Sequence, residues 1–183
     1  MKTALAIGVT IVVSTATATT VSAQAAAQSG PYVVGAAGAG QLWDDESSIG
    51  VATNLGGGVG YRVAPRLDVE FLVDRRDHDR RFTSGVRFDA GMIRATGRAL
   101  VSLSGGSVQP YVGGAVGSAR IHRITEFPGL PRRDGTSTAT STSAIAGVRI
   151  FADPRLFVRP EFEISRVGEY LMIGGGVSVG WRF

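Results

Sequence analysis

From Pro31 onward apolar and polar positions alternate with a period of two, the pattern of β-strands that bury or present one apolar face. The end of the chain shows it most cleanly. Leu171, Ile173, Gly175, Val177, Val179, Trp181 and Phe183 share one face, and Met172, Gly174, Gly176, Ser178, Gly180 and Arg182 the other. Residues 155–165 set Leu156, Val158, Pro160, Phe162 and Ile164 against Arg155, Phe157, Arg159, Glu161, Glu163 and Ser165, and residues 66–74 set Leu67, Val69, Phe71 and Val73 against Arg66, Asp68, Glu70, Leu72 and Asp74. Between 49 and 63, Ile49, Val51, Leu55, Val59, Tyr61 and Val63 oppose Asn54, Gly56, Gly58, Gly60 and Arg62. The pattern predicts strands at 31–43, 49–63, 66–74, 85–103, 108–124, 139–151, 155–165 and 170–183. In the fourth, Val86, Phe88, Ala90 and Met92 hold one parity before Ala95, Ala99, Val101 and Leu103 take the other, so a bulge is expected between Gly91 and Arg94. The first and fifth strands are too rich in Ala and Gly for their faces to be assigned.

The connections carry a second pattern. Turn-like breaks at Ala64-Pro65, Ser104-Gly105-Gly106-Ser107 and Ala152-Asp153-Pro154 alternate with longer polar stretches at 44–48, 75–84 and 125–138 and a shorter one at 166–169. Strict alternation of short and long connections is expected of a closed antiparallel transmembrane β-barrel of about eight strands, with short periplasmic turns and longer external loops. A soluble secreted barrel of the lipocalin kind would also alternate, but it would line its interior with apolar side chains.

Glycine changes the picture of the interior. There are 26 glycines and only 8% aromatic residues, and the glycines share faces with the charges. An eight-stranded barrel is just wide enough inside for side chains to fill it. Gly56, Gly58, Gly60, Gly174 and Gly176 are therefore read as space for long arginines, and a lumen ion network is expected from Arg62, Arg87, Arg149, Arg159 and Arg182 with Asp68, Glu70, Asp89, Glu161 and Glu163. The first residues are read as an address. Lys2 precedes an uncharged run from Ala4 to Val13, and Val21-Ser22-Ala23 offers a cleavage site, with a second possible near Ala25, Ala26 and Ala27. The expected organisation is a signal peptide at 1–23, a short segment at 24–30 and a barrel at 31–183. No later segment is long and apolar enough for a transmembrane helix.

These residues resemble the small outer-membrane β-barrel family, the OmpA/OmpX-like proteins, over about Pro31 to Phe183. The most specific element is the terminal strand, in which Val177, Val179, Trp181 and Phe183 look like the family's alternating apolar and aromatic ending; tryptophan stands where tyrosine is commoner. The resemblance implies that this strand is the signal read by the barrel-assembly machinery during biogenesis. It further implies residence in the bacterial outer membrane after Sec-type export.

Candidate chemistry is sparse. The formal charge is +4 with one lysine, and the arginines are scattered through alternating segments, which argues against nucleic acid. Arg75, Arg76, Arg80 and Arg81 fall in an expected external loop and are candidate contacts to lipopolysaccharide phosphates. Asp77-His78-Asp79 in the same stretch is read as a solvated charged loop, since adjacent loop residues rarely converge on one ion. His122 invites comparison with the outer-membrane lipid A deacylases, but Ile124 occupies the place of the serine two residues on. No cofactor is expected. The expected function is a non-enzymatic barrel with a plugged, charge-paired lumen and a structural or surface-interaction role, the alternatives being a lipid A-modifying enzyme or a narrow small-solute channel.

Overall fold

The computed structural model describes residues 29–43, 48–81, 87–127 and 131–183; the leader expected at 1–23 lies outside the described residues. Eight strands run as β1 (Gly30–Trp43), β2 (Ser48–Ala64), β3 (Leu67–Arg81), β4 (Arg87–Ser102), β5 (Val108–Glu126), β6 (Arg133–Phe151), β7 (Leu156–Val167) and β8 (Tyr170–Arg182). Each pairs antiparallel with its sequence neighbours and β1 pairs with β8, so the sheet closes. Closure satisfies the backbone groups of every strand and leaves no edge, which is the condition for a sheet to cross hydrocarbon.

The strands are staggered as well as closed. Register partners followed from Gly147 on β6 through Glu161, Gly176, Gly38, Asn54, Arg76, Met92 and Ile121 return to β6 at Ser137, ten residues from the start. A stagger of this kind forces the strands to tilt steeply against the barrel axis. Residues that share a register row therefore climb a spiral, and side chains meet across the lumen from positions that no local pattern connects.

The β2–β3, β4–β5 and β6–β7 connections lie at one end with Gly30 and Arg182, hereafter the turn end, and the other four lie at the loop end; the expected contrast in length is lost, since Gly168-Glu169 is as short as Pro65-Arg66. Gly106 (φ 101°) and Gly168 (φ 59°) hold backbone conformations that side chains disfavour, in the β4–β5 and β7–β8 turns respectively. All four expected loops are shorter than the sequence pattern indicated, two of them markedly. β3 continues in register with β4 as far as Arg81, and β5 and β6 stay paired out to Thr125 and Arg133. The ladder continues where hydrophobic alternation stops because hydrogen bonding does not depend on apolar side chains.

The outward face carries the apolar side chains. Val33, Leu55, Val59, Phe71, Val73, Ile93, Val112, Val116, Phe162, Ile164, Val177 and Val179 are all exposed, and Tyr61 and Trp181 stand towards the turn end with Trp43 at the loop end. This is an apolar band flanked by aromatics, as a lipid-facing barrel requires. The two unassigned strands now have faces: Tyr32, Val34 and Leu42 of β1 and Gln109, Tyr111, Ala119 and Ile121 of β5 point inward.

The expected bulge in β4 is absent. The register of β4 with both neighbours runs without a shift, and Met92, Arg94, Thr96, Arg98 and Leu100 all face the lumen. The sequence pattern misled because Ala90 and Met92 are apolar yet inward, and an outward reading of them required a switch that the backbone does not make. Register shifts occur instead between Leu42 and Trp43 and between Arg62 and Ala64.

Candidate functional site

The lumen is filled by side chains in successive layers, beginning with arginines set among rings at the turn end. Arg62 grips Asp68 with both Nε (3.1 Å) and Nη2 (3.2 Å) and donates from Nη2 to Gln109 Oε1 (3.2 Å). Arg149 reaches the same carboxylate from Nη1 (2.8 Å), and its guanidinium lies 5.1 Å from the Phe157 ring centre. Phe157 packs edge-on against Tyr32 (5.5 Å) and Phe151 (5.8 Å), and Arg182 sits 4.5 Å over Phe151. Delocalised guanidinium charge stacks on ring faces more readily than ammonium does, which suits arginine to a crowded, desolvated interior.

Above this layer the ion pairs become continuous. Arg159 holds Glu70 in a fork, with Nη2 at 3.1 Å and Nη1 to the other oxygen, and its Nε lies 3.1 Å from Glu161 Oε2. Tyr32 donates to Glu70 (2.7 Å) and Tyr111 to Glu161 (3.0 Å). Arg98 bridges Glu161 (2.9 Å) and Glu163 (3.5 Å). Arg94 then binds Glu163 through both terminal nitrogens and Asp74 through Nε (2.9 Å). Arg76 closes the chain on Asp74 (2.7 Å) and Glu163 (3.2 Å), and Ser143 donates to Glu163 (2.7 Å). The central guanidinium and carboxylate groups are almost wholly buried, where opposite charges must be paired to be tolerated.

The structure brings together Arg62, Asp68, Glu70, Arg149, Arg159, Glu161, Glu163 and Arg182, all of them expected inside. Asp89 is not among them: it stands on the outward parity of β4, the parity of Ile93, so its expected place in the lumen is corrected. The side chain of Arg87 lies outside the described residues. Asp74, Arg94, Arg98, Tyr32 and Tyr111 belong to the network and were not among its expected members, although Asp74 was read on the polar face of its strand. An unbroken period of two through Met92, Arg94, Thr96, Arg98 and Leu100 was the available signal, and the assumed bulge concealed it.

None of the five glycines expected to make room for arginines does so: Gly60 makes room for a ring, and Gly56, Gly58, Gly174 and Gly176 lie against the neighbouring strand. A Cβ at Gly60 would fall within the Tyr32 ring, one at Gly180 within the Phe157 ring, and one at Gly147 against the Tyr111 hydroxyl. At Gly58, Gly174 and Gly38 it would strike the backbone of the neighbouring strand, so these positions let strands approach on the inner side of the curved wall.

The basic stretch also divides by parity. Arg75 is outward, mostly exposed and paired with Asp77 (2.9 Å), whereas Arg76, expected on the surface, is inward and in the network. The side chains of Arg80 and Arg81 lie outside the described residues. His78 is buried and faces the Val51 carbonyl oxygen through Nδ1 (3.0 Å), a correction to its expected loop setting; Asp77 points the opposite way. His122 is exposed beside Thr136 (3.2 Å) and Asp134 (3.5 Å). On three of the four strands that run from the turn end to the loop end, β3, β5 and β7, an exposed arginine follows the outward apolar run: Arg75 after Phe71 and Val73, Arg120 after Val112 and Val116, Arg166 after Phe162 and Ile164.

Residues 11–183 match the family model described as "Outer membrane protein beta-barrel domain". No match was found among curated protein sequences. Among solved structures, the chain is similar to Neisserial surface protein A (15% identity, 84% of this chain and 97% of that one, TM-score 0.68). It is also similar to Ail, the attachment invasion locus protein of Yersinia pestis, in complex with the heparin analogue sucrose octasulfate (12%, 85% and 100%, 0.63). A third is the outer membrane protein OprG of Pseudomonas aeruginosa (12%, 86% and 97%, 0.54). At these identities the likeness is one of fold.

Proposed function

Because the chain belongs to the outer membrane protein β-barrel domain family, we propose that it is a non-enzymatic, plugged barrel of the bacterial outer membrane with a structural or surface-interaction role. The observation that carries this reading is the chain of ion pairs from Glu70 through Arg159, Glu161, Arg98, Glu163 and Arg94 to Asp74 and Arg76, which spans the lumen from wall to wall. A solute would have to displace several paired, desolvated charges to pass. Single-channel recording in a planar bilayer tests it: the expected result is no stable porin-sized current, and such a current would refute the plugged lumen.

Lipopolysaccharide is the proposed lipid partner, through arginine forks that suit phosphate oxygens. Arg75 is kept from the original set. Arg120 and Arg166 join it because they follow the outward apolar run in the same way, where the headgroups of a barrel with its loops outside would lie. Changing all three to Gln should weaken salt-sensitive association with purified lipopolysaccharide, and unchanged affinity at low salt would remove the proposal. Export by a Sec-type leader, and reading of Val177, Val179, Trp181 and Phe183 by the barrel-assembly machinery, complete the reading. A lipid A-modifying role is not favoured at His122, because Thr136 and Asp134 both face the same Nδ1 and the ring does not link a hydroxyl on one nitrogen to a carboxylate on the other.

A further inference from the structure

The inward face changes character near the loop end. Leu42, one residue before the end of β1, meets Met92 of β4, Ile121 of β5, Val167 at the end of β7, and Tyr170 and Met172 at the start of β8 in a single cluster, none of them more than 7% exposed. An inward apolar ring gains nothing from lipid, and the interiors of such barrels are ordinarily polar. The ring sits directly on the ion-pair chain, since Arg76 donates to the Met172 sulfur (3.3 Å) while holding Asp74 and Glu163.

The spaces on either side of this ring differ. Beneath it, a cavity of about 30 Å³ is bordered by Asn54, Arg76, Glu161 and Glu163, which offer hydrogen bonds to about two waters. Within it, about 20 Å³ is bordered by Leu42, Ala52, Met92, Ile121 and Met172 together with Arg76, His78 and Arg123, and the surface turned to the space is almost wholly apolar, so it gives water few partners. Two unbranched methionines let the cap conform to an irregular mouth. Apolar constrictions exclude ions because water leaves them. We infer that entry to the lumen from the loop side is closed by this dry cap, and that the ion-pair layers form a second, hydrated barrier below it. The inference rests on the barrel reading and adds where the closure lies.

The chain has no cysteine, so Asn54→Cys places a single thiol in the lower cavity. Silver ion added to intact cells displaying the barrel should reach it slowly, the remaining thiol being counted by maleimide labelling after unfolding. In an Asn54→Cys background, Leu42→Ala with Met172→Ala should speed the reaction about tenfold or more, whereas Gly35→Ala on the outward face, where a Cβ meets nothing within 4 Å, should leave it unchanged. Met92→Ser serves if the double variant does not yield heat-modifiable barrel. Rapid reaction with the cap intact, or equal rates with the cap truncated, would overturn the inference. Absence of a heat-modifiable barrel from the outer membrane even without the cap substitutions would instead sink the membrane-barrel reading on which it rests.

Discussion

Replacing Glu163 by alanine removes a carboxylate that three guanidinium groups share. Arg94, Arg98 and Arg76 all reach it, and the first two have side chains only 1% and 2% exposed. Stripping one partner from a buried pair costs about 3 to 5 kcal/mol, because the remaining charge stays desolvated. Two features lower the expectation within that range. Arg94 and Arg76 keep Asp74, and Arg98 keeps Glu161. The adjoining cavity and the space vacated by the side chain also admit water to the stranded donors. The expected loss is therefore about 3 kcal/mol for Glu163→Ala, and about 1 to 3 for Glu163→Gln, which keeps the shape and a hydrogen-bond acceptor. Urea titration of refolded protein in vesicles, followed by Trp43 and Trp181 emission and by electrophoresis of unheated sample, measures both. Asp77→Ala provides the contrast: its partner Arg75 is 69% exposed, and solvent screening holds the cost to about 0 to 1 kcal/mol. A Glu163→Ala loss no larger than that of Asp77→Ala would mean that water already fills the lumen, and the argument from buried pairing would fail.

The other expectations concern walls and ends. Gly180→Ala, whose new methyl would overlap the Phe157 ring, should cost about 1 to 3 kcal/mol; Gly35→Ala, which meets nothing within 4 Å, should leave the urea midpoint unmoved, and equal effects would show that ring packing does not set the glycine positions. Val177→Arg, in the middle of the outward face of β8, should cost about 2 to 4 kcal/mol in refolded protein, against about 0 to 1 for Leu171→Arg at its loop-side end; the reverse order would place the belt elsewhere. Deleting Phe183, which is largely exposed, should change refolded stability little while lowering the amount of heat-modifiable barrel in outer-membrane fractions, and a parallel loss of both would make its role one of packing.

Much of this architecture is local enough to be read along the chain. Alternation in β8, β7, β3 and β2 separates a lipid face from a lumen face because a strand sends successive side chains to opposite sides, and the turn-like breaks at Ala64-Pro65, Ser104 to Ser107 and Ala152 to Pro154 mark where the chain reverses after β2, β4 and β6. Alternation says nothing about which partners meet across a lumen. Arg76 pairs with Glu163 over 87 positions of sequence and Arg159 with Glu70 over 89, and those meetings follow from closure combined with the ten-residue stagger. The inward parity of Met92, and with it Arg94 and Arg98, was likewise settled by the ladder of β4 with β3 and β5. Hydrophobicity pointed the other way there, because the loop-end mouth of the lumen is lined with apolar side chains. Even the glycine positions answer to Tyr32, Phe157 and Tyr111 arriving from other parts of the wall. The sequence determined two faces and an order of strands; the closed, tilted sheet alone decided what each inward side chain would touch, since contacts across a barrel depend on its stagger and circumference and on no property of a single strand.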